Sequence, residues 1–294
     1  MRVLIVGCGY VGQIAGERLA RLGHEVFGMQ RSASGSPALR AAGIIPVVAD
    51  VTRIEQMQKL PGPFDWVVNT VSSTRGGPEE YRAVYLEGTR NLIETLPSGG
   101  LRKYVYTSST SVYGQSDGSI VDEQSPTEPA AETTRILLQT EALLLDAART
   151  KNLPAVILRA SGIYGPGRGH LFQQYLRNEA VNTGRLINMI HRDDLAGIII
   201  SALEKGRPAE IYNANDDEPV EQSDFFAWLS EKLQRPMPPS GSAEAISRKR
   251  GLTNKRVSNR KIKTELGCQL QYPTFREGYS AEIARLGLAN PQSQ

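Results

Sequence analysis

Thr107-Ser108-Ser109-Thr110-Ser111-Val112-Tyr113-Gly114 gathers hydroxyl groups directly after the apolar, strand-like run Tyr104-Val105-Tyr106. Ligands of open α/β sheets bind outside the carboxyl ends of the strands, so such a cluster could hydrogen-bond a substrate oxygen. A second string, Gly7-Cys8-Gly9-Tyr10-Val11-Gly12, is a G-x-G-x-x-G that follows the β-rich run Val3–Val6 and opens a helical pattern. In that setting each glycine has a task. Gly7 permits a tight turn, Gly9 lets the backbone approach a pyrophosphate, and Gly12 allows close helix–strand packing. The helix N-terminus then offers N–H groups and a positive dipole end to phosphates. Gly7, Gly9, Tyr10, Val11 and Gly12 are therefore the expected dinucleotide cradle; a tight turn without a ligand is the alternative.

The second strand-like run ends in Gly28-Met29-Gln30-Arg31-Ser32, with no acidic residue for a ribose 2′-hydroxyl. Arg31 can neutralise a 2′-phosphate and Ser32 can add a donor, which favours NADP(H) over NAD(H). A plain surface arginine is the other reading of Arg31. Asp50-Val51, after the third run, is placed to meet the adenine, and Asn69-Thr70-Val71-Ser72, after the fourth, to flank the ribose and pyrophosphate.

Elements that could hold these residues alternate along the chain. Strand-like runs at Val3–Val6, Glu25–Met29, Ile45–Val48, Trp66–Asn69, Tyr104–Thr107 and Ala155–Arg159 are separated by helical patterns at Val11–Leu22, near Tyr81–Leu96 and around Glu132–Arg149. Tyr81, Val84, Tyr85, Leu92, Ile93 and Leu96 recur near helical spacing. Alternation of this kind predicts a doubly wound parallel α/β sheet. Beyond about residue 160 the rhythm breaks. A Gly- and Pro-rich stretch at Gly162–Gly169 reads as a substrate-facing loop, Arg192–Leu203 as a helix, and Ser223–Gln234 as a helix capped by Ser223. Arg235–Ser242 reads as a connector, the last fifty residues as short polar helices, and Ala289–Gln294 as a frayed end.

The 294 residues carry 34 basic and 31 acidic side chains, a net charge of +3 that gives no case for nucleic acid. The one basic excess is Arg248-Lys249-Arg250 with Lys255, Arg256, Arg260, Lys261 and Lys263. It reads as a solvated surface or as an anion site for a phosphorylated substrate. Two cysteines, Cys8 and Cys268, are too few for a disulfide framework, and no metal-ligand spacing occurs. No apolar run approaches the roughly 20 residues of a membrane span and no cleavable leader is evident, which implies a cytoplasmic protein.

The chain resembles the extended short-chain dehydrogenase/reductase superfamily, which includes nucleotide-sugar epimerases and dehydratases. The residues that carry the resemblance are the glycine string, Glu87-Gly88-Thr89-Arg90-Asn91-Leu92, the hydroxyl cluster, Leu158-Arg159 with Gly162-Ile163-Tyr164-Gly165-Pro166-Gly167, His191-Arg192-Asp193-Asp194-Leu195-Ala196, and Tyr212-Asn213-Ala214. The resemblance implies a Rossmann-type dinucleotide-binding domain over residues 1–160. Residues 161–294 would form mainly a smaller C-terminal substrate lobe, with about 187–212 returning to the Rossmann domain. It implies that Ser109 matches the serine that hydrogen-bonds the substrate oxygen, with Thr110 and Ser111 beside it. Arg256 and Asn259 resemble a segment on the substrate-lobe side, and dimerisation through helices near Glu79–Leu96 and Glu132–Arg149 is common among relatives.

The departures are equally specific. Relatives place a Tyr-x-x-x-Lys eight and four residues before a glutamate matching Glu141; those positions are Thr133 and Leu137. Residues at i and i+4 share a helix face, so the lysine can lower the tyrosine pKa by its charge. Threonine and leucine can do neither part. The supporting helix asparagine is replaced by Tyr85, and most extended members carry G-x-x-G-x-x-G. In these respects the chain resembles the atypical members of the superfamily. Tyr85, Tyr113 and Tyr164 are the substitute proton donors, with ring packing as the alternative for each. His191 and Asp194 open a helix and are expected to orient the C-terminal lobe.

Two functions are consistent with these residues. One is an NADP-dependent oxidoreductase or epimerase/dehydratase-like enzyme acting on a hydroxyl or carbonyl of a sugar-like or nucleotide-linked small molecule. The other is a non-catalytic NADP(H)-binding sensor or regulatory protein, since the cradle is present and the acid/base pair is not.

Overall fold

In β1 (Arg2–Val6), Val3 and Ile5 pack into one core layer and Leu4 and Val6 into another, all fully buried. Successive residues of a strand face opposite sides, so a sheet covered on both faces needs apolar residues without a break. The same holds in β2 (Glu25–Gln30), β4 (Trp66–Asn69), β5 (Lys103–Ser109) and β7 (Ala155–Ala160). With β3 (Ile45–Val48) and β11 (Ile211–Ala214) they form a seven-stranded sheet of order β3-β2-β1-β4-β5-β7-β11, every pair parallel. The strand order reverses between β1 and β4, which opens a crevice at their carboxyl ends. This computed structural model describes residues 1–74, 76–96, 100–241 and 253–288. Among them no helix is long and apolar enough to cross a membrane, and no group of side chains could hold a metal ion.

Helices cover both faces. Leu19 of α1 (Gly12–Arg21), Leu39 of α2 (Ser36–Ala41), and Leu195 and Ile199 of α8 (Arg192–Lys205) belong to one layer. Met57 of α3 (Ile54–Met57), Tyr81 of α4 (Pro78–Tyr81), Leu92 of α5 (Gly88–Thr95), and Ile136 and Leu144 of α6 (Glu132–Lys151) belong to the other. The helix expected near Tyr81–Leu96 is not regular, because a π-helical turn at Arg82–Glu87 separates α4 from α5. The wider turn buries Val84, Tyr85 and Leu86 in succession, a pattern outside 3.6-residue spacing.

A third core cluster is largely aromatic: Tyr164, Phe172, Tyr175, Phe225, Phe226, Phe275 and Tyr279. These come from β8 (Gly162–Tyr164), α7 (His170–Leu176), α9 (Gln222–Leu233) and α11 (Phe275–Arg285). Residues 162–164 are a strand paired in parallel with β10 (Met189–His191), so only the remainder of Gly162–Gly169 is loop. β11 rejoins the main sheet, a seventh strand absent from the sequence reading. Its four residues, Ile-Tyr-Asn-Ala, lack the apolar run that marks the others. Ser223 is not the cap of α9. The helix starts at Gln222 after Glu221, and no side chain caps it.

Within the basic segment, Lys255, Arg256 and Lys261 are not an open surface, while Arg260 and Lys263 are exposed. Lys255 is buried and donates to the Tyr113 carbonyl at 3.0 Å and to Thr253 Oγ1 at 2.9 Å. Arg256, in β13 (Arg256–Val257), donates to the Gly118 carbonyl, and Lys261 and Lys263, on α10 (Arg260–Leu266), pair with Glu210 and Asp217 at 2.6 Å. Arg248–Arg250 and Ala289–Gln294 lie outside the described residues.

One buried ion pair ties the elements below the hydroxyl cluster. Glu141 of α6 and Arg159 of β7 meet at 2.7 Å with side chains 1% and 4% exposed. Arg159 Nε also donates to both carboxylate oxygens at 3.2 Å, and Ser108 of β5 donates to Glu141 Oε1 at 2.5 Å. Arg159 Nη1 donates to Tyr113 Oη at 2.9 Å, and Tyr113 donates to Asn213 Oδ1 of β11 at 2.8 Å. Removing one partner strands a buried charge, which costs ~3–5 kcal/mol, whereas replacing both by apolar groups of similar volume costs far less. Glu141→Ala is therefore expected to lower the thermal midpoint sharply. The double change Glu141→Leu with Arg159→Met should recover much of the loss. Calorimetry that finds the double variant no more stable than the single one would refute this account of the pair.

Candidate active site

Gly7 adopts φ +78°, and a Cβ there would lie 2.8 Å from the Val71 backbone, so the turn after β1 crosses the segment after β4 in contact. Gly7 and Cys8 N–H both donate to the Met29 carbonyl of β2, and Thr70 Oγ1 donates to the Val6 and Gly7 carbonyls at 3.2 and 3.0 Å. A Cβ on Gly12 would sit 2.8 Å from Thr70 Oγ1 and 2.9 Å from Ile5, which keeps α1 close to the sheet. Gly9 differs. A Cβ there would meet nothing nearer than 3.9 Å, so protein packing does not account for the glycine, and the space in front of it suits a ligand. The amides of Tyr10 and Val11 find no hydrogen-bond acceptor among the described residues, and both residues line the cleft beside the first turn of α1. Cys8 is packing. Burial pushes its thiol up to about 12.

Two connected spaces meet at this turn. The smaller, about 200 Å³, is lined by Gln30, Arg31, Asp50, Val51, Thr74 and Val84, and shares Gly7, Gly9, Val71 and Ser72 with the larger. Arg31 donates to Thr74 Oγ1 at 2.6 Å, and Asp50 Oδ1 accepts from Thr52 N–H at 2.9 Å. Ser32 is not among the lining residues; its hydroxyl caps Ser34 N–H at 3.2 Å. Asn69 also stands behind the wall. It is buried, donates to Thr89 and Tyr104 hydroxyls, and its Oδ1 accepts from Val71 N–H. The charge and donor set fit a dinucleotide whose pyrophosphate lies at α1 and whose adenosine half lies at Arg31–Val51.

The larger cleft, about 850 Å³, runs from the glycine turn to the carboxyl end of β5, where Thr107, Ser108 and Ser109 line it. Tyr85, Leu137, Ser161, Gly162, Ile163, Arg168, His170, Gln173 and Arg177 line it further. Ser109 Oγ accepts from Ser111 N–H at 3.2 Å. Thr110 and Ser111 are not among the lining residues; Thr110 lies 3.4 Å from Ser161, and the Ser111 hydroxyl is buried. Arg256 and Asn259 are also absent from it. Asn259 donates to the carbonyls of Asn215 and Asp216.

The three tyrosines separate. Tyr85, in the π-helical turn, lines the cleft, and its hydroxyl accepts from Ser73 N–H at 3.2 Å. Tyr113 points into the buried network with Arg159 and Asn213, where burial raises its pKa. Tyr164 is stacked on Tyr279 at 4.6 Å and bonded to the Thr274 carbonyl, and burial drives its pKa far up. Neither lines the cleft, and the proton-donor expectation for both is dropped. Thr133 is buried outside the cleft, while Leu137 gives it an apolar wall. His191 caps α8 by accepting from Asp193 N–H at 3.2 Å. Burial lowers its pKa to about 4, so the neutral imidazole is the acceptor. Asp194 accepts from the amides of Gln271 and Tyr272, joining α8 to the segment before α11. Arg168, His170, Gln173 and Arg177 were not read as site residues. Only the Gly/Pro richness of Gly162–Gly169, which holds Arg168 and precedes the other three, hinted at a ligand-facing position.

Comparison with known proteins agrees with this geometry. A family model described as the NAD dependent epimerase/dehydratase family matches residues 3–214. Protein YeeZ of Escherichia coli K12 is 27% identical over 283 residues, covering 92% of this chain and 96% of its own length. A 3-diazoavenalumate denitrifying reductase of a Streptomyces species is 26% identical, covering 96% and 100%. The solved structure of a putative NAD-dependent epimerase/dehydratase from Methylobacillus flagellatus is 31% identical with a TM-score of 0.80, covering 97% and 98%. The UDP-glucose 4-epimerase of Thermotoga maritima, 19% identical, shares the fold at a TM-score of 0.84 over 98% and 99%. The seven-stranded sheet, the glycine turn at its switch point and the matched 212-residue span together establish that the chain belongs to the NAD-dependent epimerase/dehydratase family of NAD(P)-dependent, oxidoreductase- and epimerase-like enzymes.

Proposed function

We propose that the protein is an NADP-dependent oxidoreductase or epimerase/dehydratase-like enzyme acting on a hydroxyl or carbonyl of a sugar-like or nucleotide-linked small molecule. The observation that carries this reading is the continuous cleft from Gly7 and Gly9 to Ser109, joined to the smaller space at Arg31 and Asp50. A nicotinamide bound there supplies or accepts the hydride. Ser109 would hydrogen-bond the substrate oxygen as its charge changes, with Tyr85, the one tyrosine of the three on the cleft wall, or water exchanging the proton. Arg31 would pair with the 2′-phosphate, for which its forked guanidinium is suited. The two buried, unpaired cysteines accord with a reducing, cytoplasmic setting.

A second reading, a non-catalytic NADP(H)-binding sensor, is favoured by Leu137. An apolar side chain lines the cleft where relatives carry the lysine. Turnover separates the two. If the enzyme reading is right, NADPH oxidation in a screen of carbonyl substrates falls about 10²-fold or more in Ser109→Ala and is slowed in Tyr85→Phe. Tight NADPH binding without turnover on any substrate would support the sensor instead, and unchanged turnover in Ser109→Ala would remove Ser109 from the mechanism.

Cofactor choice has its own test. Arg31→Ala should weaken NADPH binding by about tenfold or more, the loss of one charge-assisted contact, and leave NADH binding nearly unchanged. Equal losses for both cofactors in a fluorescence titration would refute the 2′-phosphate role.

A further inference from the structure

The cleft is lined by the cations Arg168 and Arg177 and, among the described residues, by not one carboxylate. Arg168 ends a tight turn closed by two backbone bonds, Gly165 N–H to the Arg168 carbonyl at 3.0 Å and Arg168 N–H to the Gly165 carbonyl at 2.8 Å. Gly167 N–H donates to the buried Glu282 at 2.9 Å and fixes that turn to α11. The Arg168 guanidinium lies 5.1 Å from the centre of the Tyr10 ring, with Arg192 4.9 Å from the same ring. Arg192 has a carboxylate partner, Asp193 at 3.2 Å; Arg168 has none among the described residues. Arg177 meets Glu179 at 2.8 Å in a half-exposed pair, and His170 and Gln173 lie between the two arginines in sequence.

A guanidinium held in a defined place by an aromatic ring and a rigid turn, without a carboxylate, is prepared for an external anion. A surface arginine kept for solubility would need neither the ring nor the anchored turn. We propose that Arg168, with Arg177, His170 and Gln173, forms a substrate subsite for an anionic group, a carboxylate or a phosphate, carried on the molecule whose hydroxyl or carbonyl meets Ser109. This rests on the reading of the cleft as a substrate site and narrows it to anionic substrates. Arg168 supplies a planar pair of donors to two oxygens of the anion. Arg177 adds a second cation, which Glu179 partly offsets.

The test uses the full chain saturated with NADPH and calorimetric titration with malonate, inorganic phosphate and malonamide, the neutral counterpart of malonate. NADPH binding is first read from its own fluorescence. Its absence would defeat the cofactor reading, while the anion titration still judges the subsite. Malonate or phosphate is expected to bind and malonamide not. Affinity should drop at least about tenfold in Arg168→Gln and in Arg177→Gln, recover partly in Arg168→Lys, and fall as salt is raised. The better of the two anions tells a carboxylate from a phosphate substrate. Equal binding of malonamide, no anion binding, or unchanged affinity in both glutamine variants would overturn the proposal. So would an Arg168→Gln variant that loses NADPH affinity alone, since that would assign the guanidinium to the cofactor pyrophosphate.

Discussion

The Glu141–Arg159 pair constrains everything above it. Two charges taken almost wholly out of water are tolerated only when their geometry and remaining hydrogen bonds are nearly complete, and here they are. Glu141 fixes the register of α6 against the end of β5 through Ser108, and Arg159 fixes Tyr113 after the hydroxyl cluster. Tyr113 in turn fixes Asn213, whose N–H also donates to Glu123 at 2.7 Å and whose side chain reaches the Ser258 carbonyl. Four elements, α6, β5, β7 and β11, thus share one set of polar bonds beneath the cleft. Ser108 faces both the network and the cleft, which leaves Ser109, the next residue, little freedom to move.

A second constraint is steric and lies at the switch point. The contact between Gly7 and the Val71 backbone sets how near β1 and β4 come at their carboxyl ends, and Gly12 sets how near α1 comes to both. Polar bonds hold the β5 side and close backbone packing holds the β1 side. The cleft is the space between a clamp made of charges and a clamp made of missing side chains.

These two clamps explain what could be read without coordinates. Five of the six strand runs and the glycine turn announce themselves locally, because a strand buried on both faces must be apolar throughout and a turn of that shape excludes a Cβ. The hydroxyl cluster is legible for the same reason: it follows such a strand directly. The sixth run, β3, at the sheet edge with Ile45 and Val48 exposed, is legible from its β-branched residues alone. The network is not, since Glu141, Arg159, Tyr113 and Asn213 are brought together only by the parallel order β5-β7-β11. Tyr113 and Tyr164 look like cleft residues in sequence because they flank it. Their hydroxyls turn instead to Arg159 and to the Thr274 carbonyl, contacts made across 46 and 110 residues. Tyr85 reaches the wall through a π-helical turn, and Lys255, Lys261 and Lys263 are charges that sequence leaves on the surface and folding assigns to particular acceptors.

The distribution of charge around the cleft then bears on how chemistry could proceed with leucine at position 137. Of the cations near the cleft, Arg159 lies behind its floor and is neutralised by Glu141, so it contributes little field at Ser109. Leu137 offers none. The uncompensated charge on the cleft is Arg168, beside Tyr10, with Arg177 also lining it. An ammonium at the position of Leu137 would act on a proton donor; the Arg168 guanidinium, on the proposal above, acts on the substrate. On that proposal, electrostatic work passes from tuning a catalytic group to orienting the reacting molecule. Orientation of that kind can supply a large share of a rate enhancement. Leucine at position 137 is consequently no argument by itself against turnover, provided the substrate brings the negative charge that the cleft lacks.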